Sequence, residues 1–272
     1  MHRQYLHVGD RTIAYFDSAP GEAGLPVLVL LHAFPLSAAM WEPQFRQPPA
    51  GWRLLAPDLA GFGGSTDPSG GASGVEMDDY ARDVVDLLTE LAIPGAVIGG
   101  LSMGGYVAFA VWRRAPGLVR ALVLADTRAT ADSSEARAGR RALLAQVDRE
   151  GAGGLARDML PKLIGRTTMD GPTQVESTIR RIIKQQSAEA IRGGLRRMME
   201  RPDSTPDAAA LTVPTLVVVG DEDAITPPAE AEALAALIPA AELAVIAGAG
   251  HLSSLEQPVA FGERLAAFLS RL

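Results

Sequence analysis

The chain has no cysteine among its 272 residues. That absence removes thiol nucleophiles, thiolate metal sites and disulfide cross-links together. Imidazole is scarce too, limited to His2, His7, His32 and His251. Basic charge is in deficit, with 25 Lys and Arg against 32 Asp and Glu and a net charge of −7. This balance opposes attraction to phosphate backbones. No basic stripe interleaved with aromatic residues offsets it, so no nucleic-acid partner is expected. No uncharged apolar run reaches the length of a membrane span, and the stretch from Met1 to Asp10 holds no apolar leader core. The expectation is therefore no membrane partner and a cytoplasmic location.

What remains is ordinary globular material, 47% hydrophobic and 21% charged. A chain of this length suits one large α/β domain with an insertion, whose core needs no disulfide to be stable. The charge is unevenly spread: residues 128–201 carry 15 Lys and Arg against 9 Asp and Glu. A basic middle segment inside an acidic chain marks a compositionally distinct region.

Two short β-like runs, Tyr5 to Val8 and Arg11 to Phe16, flank Gly9-Asp10 and read as a hairpin. Val27 to Leu31 is a continuous apolar run of strand length, as expected for a strand buried on both faces of a parallel sheet. Similar runs recur at Leu54 to Ala56, Ala96 to Ile98, Ala121 to Leu124, Leu216 to Val219 and Leu243 to Ile246. Helical patterns lie between or after them at Met77 to Leu91, Met103 to Arg114, Pro228 to Leu237 and Pro258 to Leu272. Alternation of this kind predicts an α/β fold with a mostly parallel central sheet flanked by helices. Ligands in such sheets gather at the carboxyl ends of the strands.

The alternation stops between Asp126 and Val213, where Val175 to Gln186 and Ala188 to Glu200 read as amphipathic helices. The expected organisation is a core in two parts, residues 1–127 and 208–272, with a helical cap over residues 128–207. Glycines at 151, 153, 154, 165, 171, 193 and 194 predict a jointed cap of short helices.

Gly100-Leu101-Ser102-Met103-Gly104 sits between a predicted strand and a predicted helix, the context that gives a G-x-S-x-G pentapeptide its meaning. A tight turn there projects the Ser102 hydroxyl, and the helix start offers amides and a positive dipole end to a developing oxyanion. A packing turn with Ser102 as an ordinary helix cap is the alternative. A serine hydroxyl needs a base, and His251 follows the last predicted strand in Gly248-Ala249-Gly250-His251, a loop able to carry an imidazole over the sheet edge. The imidazole needs an acid, for which Asp223 in Gly220-Asp221-Glu222-Asp223 stands at a strand end in the order Ser, Asp, His. Asp126, at another strand end, is the competing acid. Asp221 is expected to organise its loop, and Glu222 to face solvent.

Met103, directly after Ser102, supplies one candidate oxyanion amide, and Phe34 in His32-Ala33-Phe34-Pro35 supplies the second. His32 reads as a loop-holding side chain before it reads as a proton-transfer group. Trp41, Met159 and Met198 are candidate pocket-lining residues, because small-molecule sites have mostly apolar walls.

Taken together with Asp58 to Ser65 and Gly248 to Pro258, these residues resemble the α/β-hydrolase superfamily over nearly the whole chain. His32 to Ser37 with Trp41, and Leu101 to Tyr106, look most similar to the branch of 3-oxoadipate enol-lactonases and small carboxylesterases. The resemblance implies a serine hydrolase acting on a small-molecule carboxylic ester or lactone, with no metal or organic cofactor. Cofactor-free perhydrolysis, C–C bond hydrolysis on the same residues, or a small-molecule receptor retaining the fold are its alternatives. Two positions depart from the pattern: Ala33 stands where glycine is usual, and Ala60 where arginine or proline is frequent. Alanine at 33 is strained if the loop requires positive φ there. Arg180, Arg181, Lys184, Arg192, Arg196 and Arg197 raise a further expectation, either solvated helix faces or attraction of an anionic substrate. Oligomeric state is not legible.

Overall fold

A computed structural model describes residues 2–22, 24–70, 72, 74–171, 174–239 and 241–272. The chain opens with β1 (Arg3–Val8), β2 (Arg11–Asp17) and β3 (Val27–Leu31), then α1 (Glu42–Arg46) and β4 (Arg53–Pro57). The helix α2 (Met77–Glu90) leads to β5 (Ala96–Leu101), α3 (Met103–Arg114) and β6 (Val119–Ala125). Five helices follow: α4 (Ser134–Leu163), α5 (Arg166–Asp170), α6 (Val175–Lys184), α7 (Ala188–Glu200) and α8 (Thr205–Ala209). The chain then returns to the sheet through β7 (Thr215–Gly220), α9 (Pro228–Leu237) and β8 (Ala241–Ile246), and ends in α10 (Ser253–Glu256) and α11 (Pro258–Leu269).

The strands form one eight-stranded sheet in the order β1-β2-β4-β3-β5-β6-β7-β8. The β1–β2 hairpin and the β2–β4 pair are antiparallel. Every later pair, from β3–β4 to β7–β8, is parallel. The apolar runs divide their side chains by the period of two that a pleated strand imposes. Val27, Val29 and Leu31 enter one core layer, with Tyr80 of α2, Phe109 of α3 and Leu234 of α9. Leu28 and Leu30 enter the opposite layer, with Trp41 and the α11 residues Phe261, Leu265 and Phe268. Full burial of each such aliphatic side chain is worth roughly 1.5–3 kcal/mol, enough for the two layers to fix the strand faces.

One element differs from expectation. The run Leu243 to Ile246 forms β8 at the sheet edge, where Leu243 is 40% and Val245 46% exposed. An apolar run read as buried on both faces is in fact covered on only one: Ala244 and Ile246 enter the layer with α11, while Leu243 and Val245 point to the opposite face, which is left open at this edge of the sheet. In α4, Gly151 adopts φ 62 and ψ −164 and divides the helix into two segments. That break is the joint expected from the glycines of this region.

Parallel register brings the strand ends together at one edge. Leu31 pairs with Gly100, Leu101 with Ala125, and Gly220 with Ile246. The segments beginning at His32, Ser102, Asp126, Asp221 and Ala247 therefore emerge side by side.

Candidate active site

Ser102 caps the N-terminus of α3 with φ 55 and ψ −111. A non-glycine residue held there costs about 1–3 kcal/mol, which the surroundings must offset. Its N–H donates to the Ala125 carbonyl at 2.8 Å, and its own carbonyl accepts from the Thr127 hydroxyl at 2.8 Å. The flanking glycines answer to space: a Cβ on Gly100 would lie 2.1 Å from the Gly104 carbonyl oxygen, and one on Gly104 would lie 2.2 Å from that of Leu31. Bare backbone at both positions lets helix and strand close to the distance that thrusts Ser102 outward.

The Ser102 hydroxyl donates to His251 Nε2 at 2.8 Å. On the far side of the ring, His251 Nδ1 donates to Asp223 Oδ2 at 2.8 Å. An ionised carboxylate only accepts, so the proton of the neutral imidazole resides on Nδ1, leaving Nε2 free to take the serine proton. His251 and Asp223 are both buried. Burial works against the Asp223 charge, but the adjoining His251 and the donors from Thr226 outweigh it and hold its carboxyl below the usual range. The structure thus brings Ser102 to a pair, His251 and Asp223, whose imidazole lies 149 positions further along the chain.

Asp126 takes a different place. It is fully buried at φ 46, accepting the Gly220 N–H at 3.0 Å and the Ser253 hydroxyl at 2.5 Å. Burial, reinforced by the neighbouring Asp223, pushes its carboxyl well above the usual range. It braces the end of β7 and the turn after His251, and its hydrogen bonds do not include the imidazole.

Phe34 follows β3, and Met103 follows the serine on the neighbouring β5–α3 turn. Among the described residues neither N–H has an intramolecular acceptor. Their loop is tied by His32, whose Nδ1 donates to the Ala33 carbonyl and whose Nε2 accepts the Leu59 N–H, both at 3.0 Å. Burial lowers the His32 pKa from 6.5 to about 4, keeping the ring neutral for both bonds. Ala33 lies outside the positive-φ region, so its methyl group carries no backbone strain. Asp58 secures the adjoining loop by accepting from Ala38 at 2.8 Å and Gly64 at 2.9 Å.

The pocket candidates separate. Trp41 is buried against Phe261, with ring centroids 6.1 Å apart. Met198 belongs to the core layer that includes Phe34 and Met103, and Met159 packs against both layers. The basic residues separate as well. Arg180 pairs with Glu176, and Arg192 with Asp148 and Glu189. Arg197, read as a solvated or substrate-facing cation, is instead buried over the Tyr80 ring and paired with Asp67 and Asp79. Arg181 and Lys184 line a surface groove along α6 with Ser177 and Gln185.

Several contacts escaped the sequence reading. The Glu222 carboxylate does not simply face solvent: it accepts the Thr167 N–H at 2.8 Å and its hydroxyl at 2.7 Å. Glu256 accepts the Gly165 N–H and the Thr168 hydroxyl, both at 2.7 Å, and the Leu252 N–H at 3.1 Å. The α4–α5 junction is therefore held by one residue beside Asp223 and another on the turn after His251. A Cβ on Gly250 would lie 2.2 Å from the Gly165 nitrogen, so the two backbones cross there without side chains between them. Thr226 supports Asp223 directly. Its place three residues after the aspartate is a local signal, because short polar side chains commonly bond turn amides at such spacing. Glu222 and Glu256 had no comparable signal, since their partners lie far away in sequence.

Residues 26–258 match the family model described as alpha/beta hydrolase fold, and the chain belongs to that family. The structure of a thermophilic esterase from Thermogutta terrifontis is similar to it at TM-score 0.91 and 37% identity, covering 100% of this chain and 99% of that one. The enol-lactonase structure from Burkholderia xenovorans is similar at TM-score 0.89 and 27% identity, covering 98% and 100%. In sequence, the chain is 26% identical over 251 residues to 3-oxoadipate enol-lactonase 2 of Acinetobacter baylyi, covering 92% of this chain and 91% of that protein.

Proposed function

We propose that the protein is a serine hydrolase that cleaves a carboxylic ester or lactone through an acyl-enzyme on Ser102. The observation that carries this reading is the continuous line from the Ser102 hydroxyl to His251 Nε2, and from His251 Nδ1 to Asp223, with 2.8 Å at each step. The similarity to esterase and enol-lactonase structures supports the substrate class.

In the forward half-reaction, Ser102 Oγ bonds to the substrate carbonyl carbon while its proton passes to His251 Nε2. Asp223 stabilises the resulting imidazolium, and the Phe34 and Met103 amides receive the negative oxygen. Collapse breaks the bond to the alkoxide, which takes the proton from His251. The ring, neutral again, removes a proton from water. The hydroxide so formed attacks the acyl carbon, and Ser102 leaves with the returned proton. In a lactone the alkoxide stays tethered to the acyl group, so one hydroxy acid is released.

The helices between β6 and β7 serve as the cap, residues 128–207, over this edge. Two contacts support that role: a Cβ added to Gly194 of α7 would lie 3.0 Å from the Phe34 ring, and the α4–α5 junction rests on Glu222 and Glu256. With a short p-nitrophenyl ester, Ser102→Ala should reduce turnover by at least about a thousandfold. Turnover equal to that of the parent protein would refute the nucleophile assignment.

A further inference from the structure

Asp223 is held by more than the imidazole. Its Oδ1 accepts the backbone N–H groups of Ile225 at 2.8 Å and Thr226 at 3.0 Å. Its Oδ2, the oxygen facing His251, also accepts the Thr226 hydroxyl at 2.6 Å. That hydroxyl oxygen lies 3.2 Å from His251 Nδ1, and the Thr226 side chain is buried with the other two. One hydroxyl therefore closes a triangle with the carboxylate and the ring.

We propose that Thr226 is a positioning residue of the proton relay, whose hydroxyl sets the basicity of His251 by drawing charge from the Asp223 oxygen that faces it. This rests on the serine-hydrolase reading above and extends it. The hydroxyl's two contacts act differently. Nδ1 carries hydrogen in both the neutral and the doubly protonated ring, so the Thr226 lone pair directed at Nδ1 fixes the tautomer but discriminates little between those states. Donation to Oδ2 does discriminate, because it spreads the negative charge that stabilises the imidazolium. Removing it leaves a more concentrated charge on Oδ2, and the ring holds its second proton to higher pH.

The other charged groups around this pair have partners of their own, none of them the Thr226 hydroxyl. Asp126 approaches Asp223 from the end of β6 and is anchored by Gly220 and Ser253. Glu222 is engaged with Thr167, and Asp221 with the Gly248 N–H. Arg128 reaches the Ile225 carbonyl and pairs with Glu230. Glu256 on α10 is occupied by Leu252, Gly165 and Thr168. The amide clamp on Oδ1 is made by backbone, so Thr226→Val deletes the hydroxyl with the carboxylate still held.

The test is a pH titration of the His251 ring by NMR, assigned by its loss in His251→Asn, alongside the pH profile of kcat/KM. Both are measured on the parent protein, Thr226→Val, Thr226→Ser and, should the valine variant not fold, Thr226→Ala. In Thr226→Val or Thr226→Ala the ring titration and the acid limb of kcat/KM should both move to higher pH by about half a unit or more. Thr226→Ser should return both toward the parent values. Superimposable titrations in parent and variant would overturn the inference, and so would a lower kcat with no movement of the ring. The ring titration needs no turnover, so it is independent of the parent reading, which would fail instead on unchanged ester hydrolysis by Ser102→Ala.

Discussion

His32 shows how a histidine in the loop beside Ser102 can serve the structure without taking a proton. Its ring must be neutral to donate from Nδ1 and accept at Nε2 at once, and burial supplies that neutrality by lowering its pKa from 6.5 to about 4. The unfolded chain binds this proton at about pH 6.5 while the folded chain refuses it until near pH 4, so acid favours unfolding across that window. The associated stability is fully present above about pH 6.5 and is lost as pH falls toward 4, a loss on the order of 3 kcal/mol. Urea unfolding of parent and His32→Gln between those limits should show a steeper decline in the parent. Parallel curves would count against a neutral buried His32. Ser102, His251 and Asp223 were legible because each follows a strand in an order that the turn chemistry makes meaningful. The choice of Asp223 over Asp126 rested on position alone, and the structure adds the physical difference: the imidazole bonds Asp223, whereas amides and a serine occupy Asp126.

At the scale of elements, the helices Met103–Arg114, Ala188–Glu200 and Pro228–Leu237 have the bounds that their periodicity predicts. The short turn Ser253–Glu256 was missed because one turn carries too little period to register, and Pro258 resets the helix behind it. The exposure of β8 was hidden for another reason: an edge strand and a central strand have the same local pattern, and only the covering of each face distinguishes them. The junction between α4 and α5 depends on contacts 55 and 91 residues distant in sequence, beyond any local window. Glu256→Gln keeps the shape but weakens acceptance from Gly165 and Thr168. Hydrogen exchange at residues 164–168 should then quicken by about tenfold, with kcat/KM reduced several-fold, because the same carboxylate steadies the turn after His251. Unchanged exchange there would show that the junction holds without the carboxylate.

Across the whole molecule, charge is arranged differently from the count of basic residues in the middle segment. Arg180, Arg192 and Arg197 are paired with carboxylates, and Arg140 and Arg201 share Asp132. The partners of Arg180, Arg192, Arg140 and Arg201 lie inside the segment and are already in its count, so its excess is offset only where Arg197 meets Asp67 and Asp79 and Arg128 meets Glu230; the paired guanidinium groups are nonetheless neutralised locally, and the chain as a whole is acidic at −7. The ratio of kcat/KM for an anionic ester to that for its neutral analogue should therefore change by less than about twofold between roughly 0.01 M and 1 M salt. A steep fall in that ratio would restore the expectation that these residues recruit an anionic substrate. Among the described residues no helix is long and apolar enough to cross a membrane.

The central claim is that the Ser102 hydroxyl, activated by His251, forms the covalent acyl intermediate. Its most direct test is mass spectrometry of the protein after reaction with a fluorophosphonate probe, with the adduct mapped to a peptide. The account predicts one adduct, on Ser102, absent from Ser102→Ala and formed at least about a hundredfold more slowly in His251→Ala. An adduct on another residue, or labelling of Ser102 at the parent rate without His251, would contradict it.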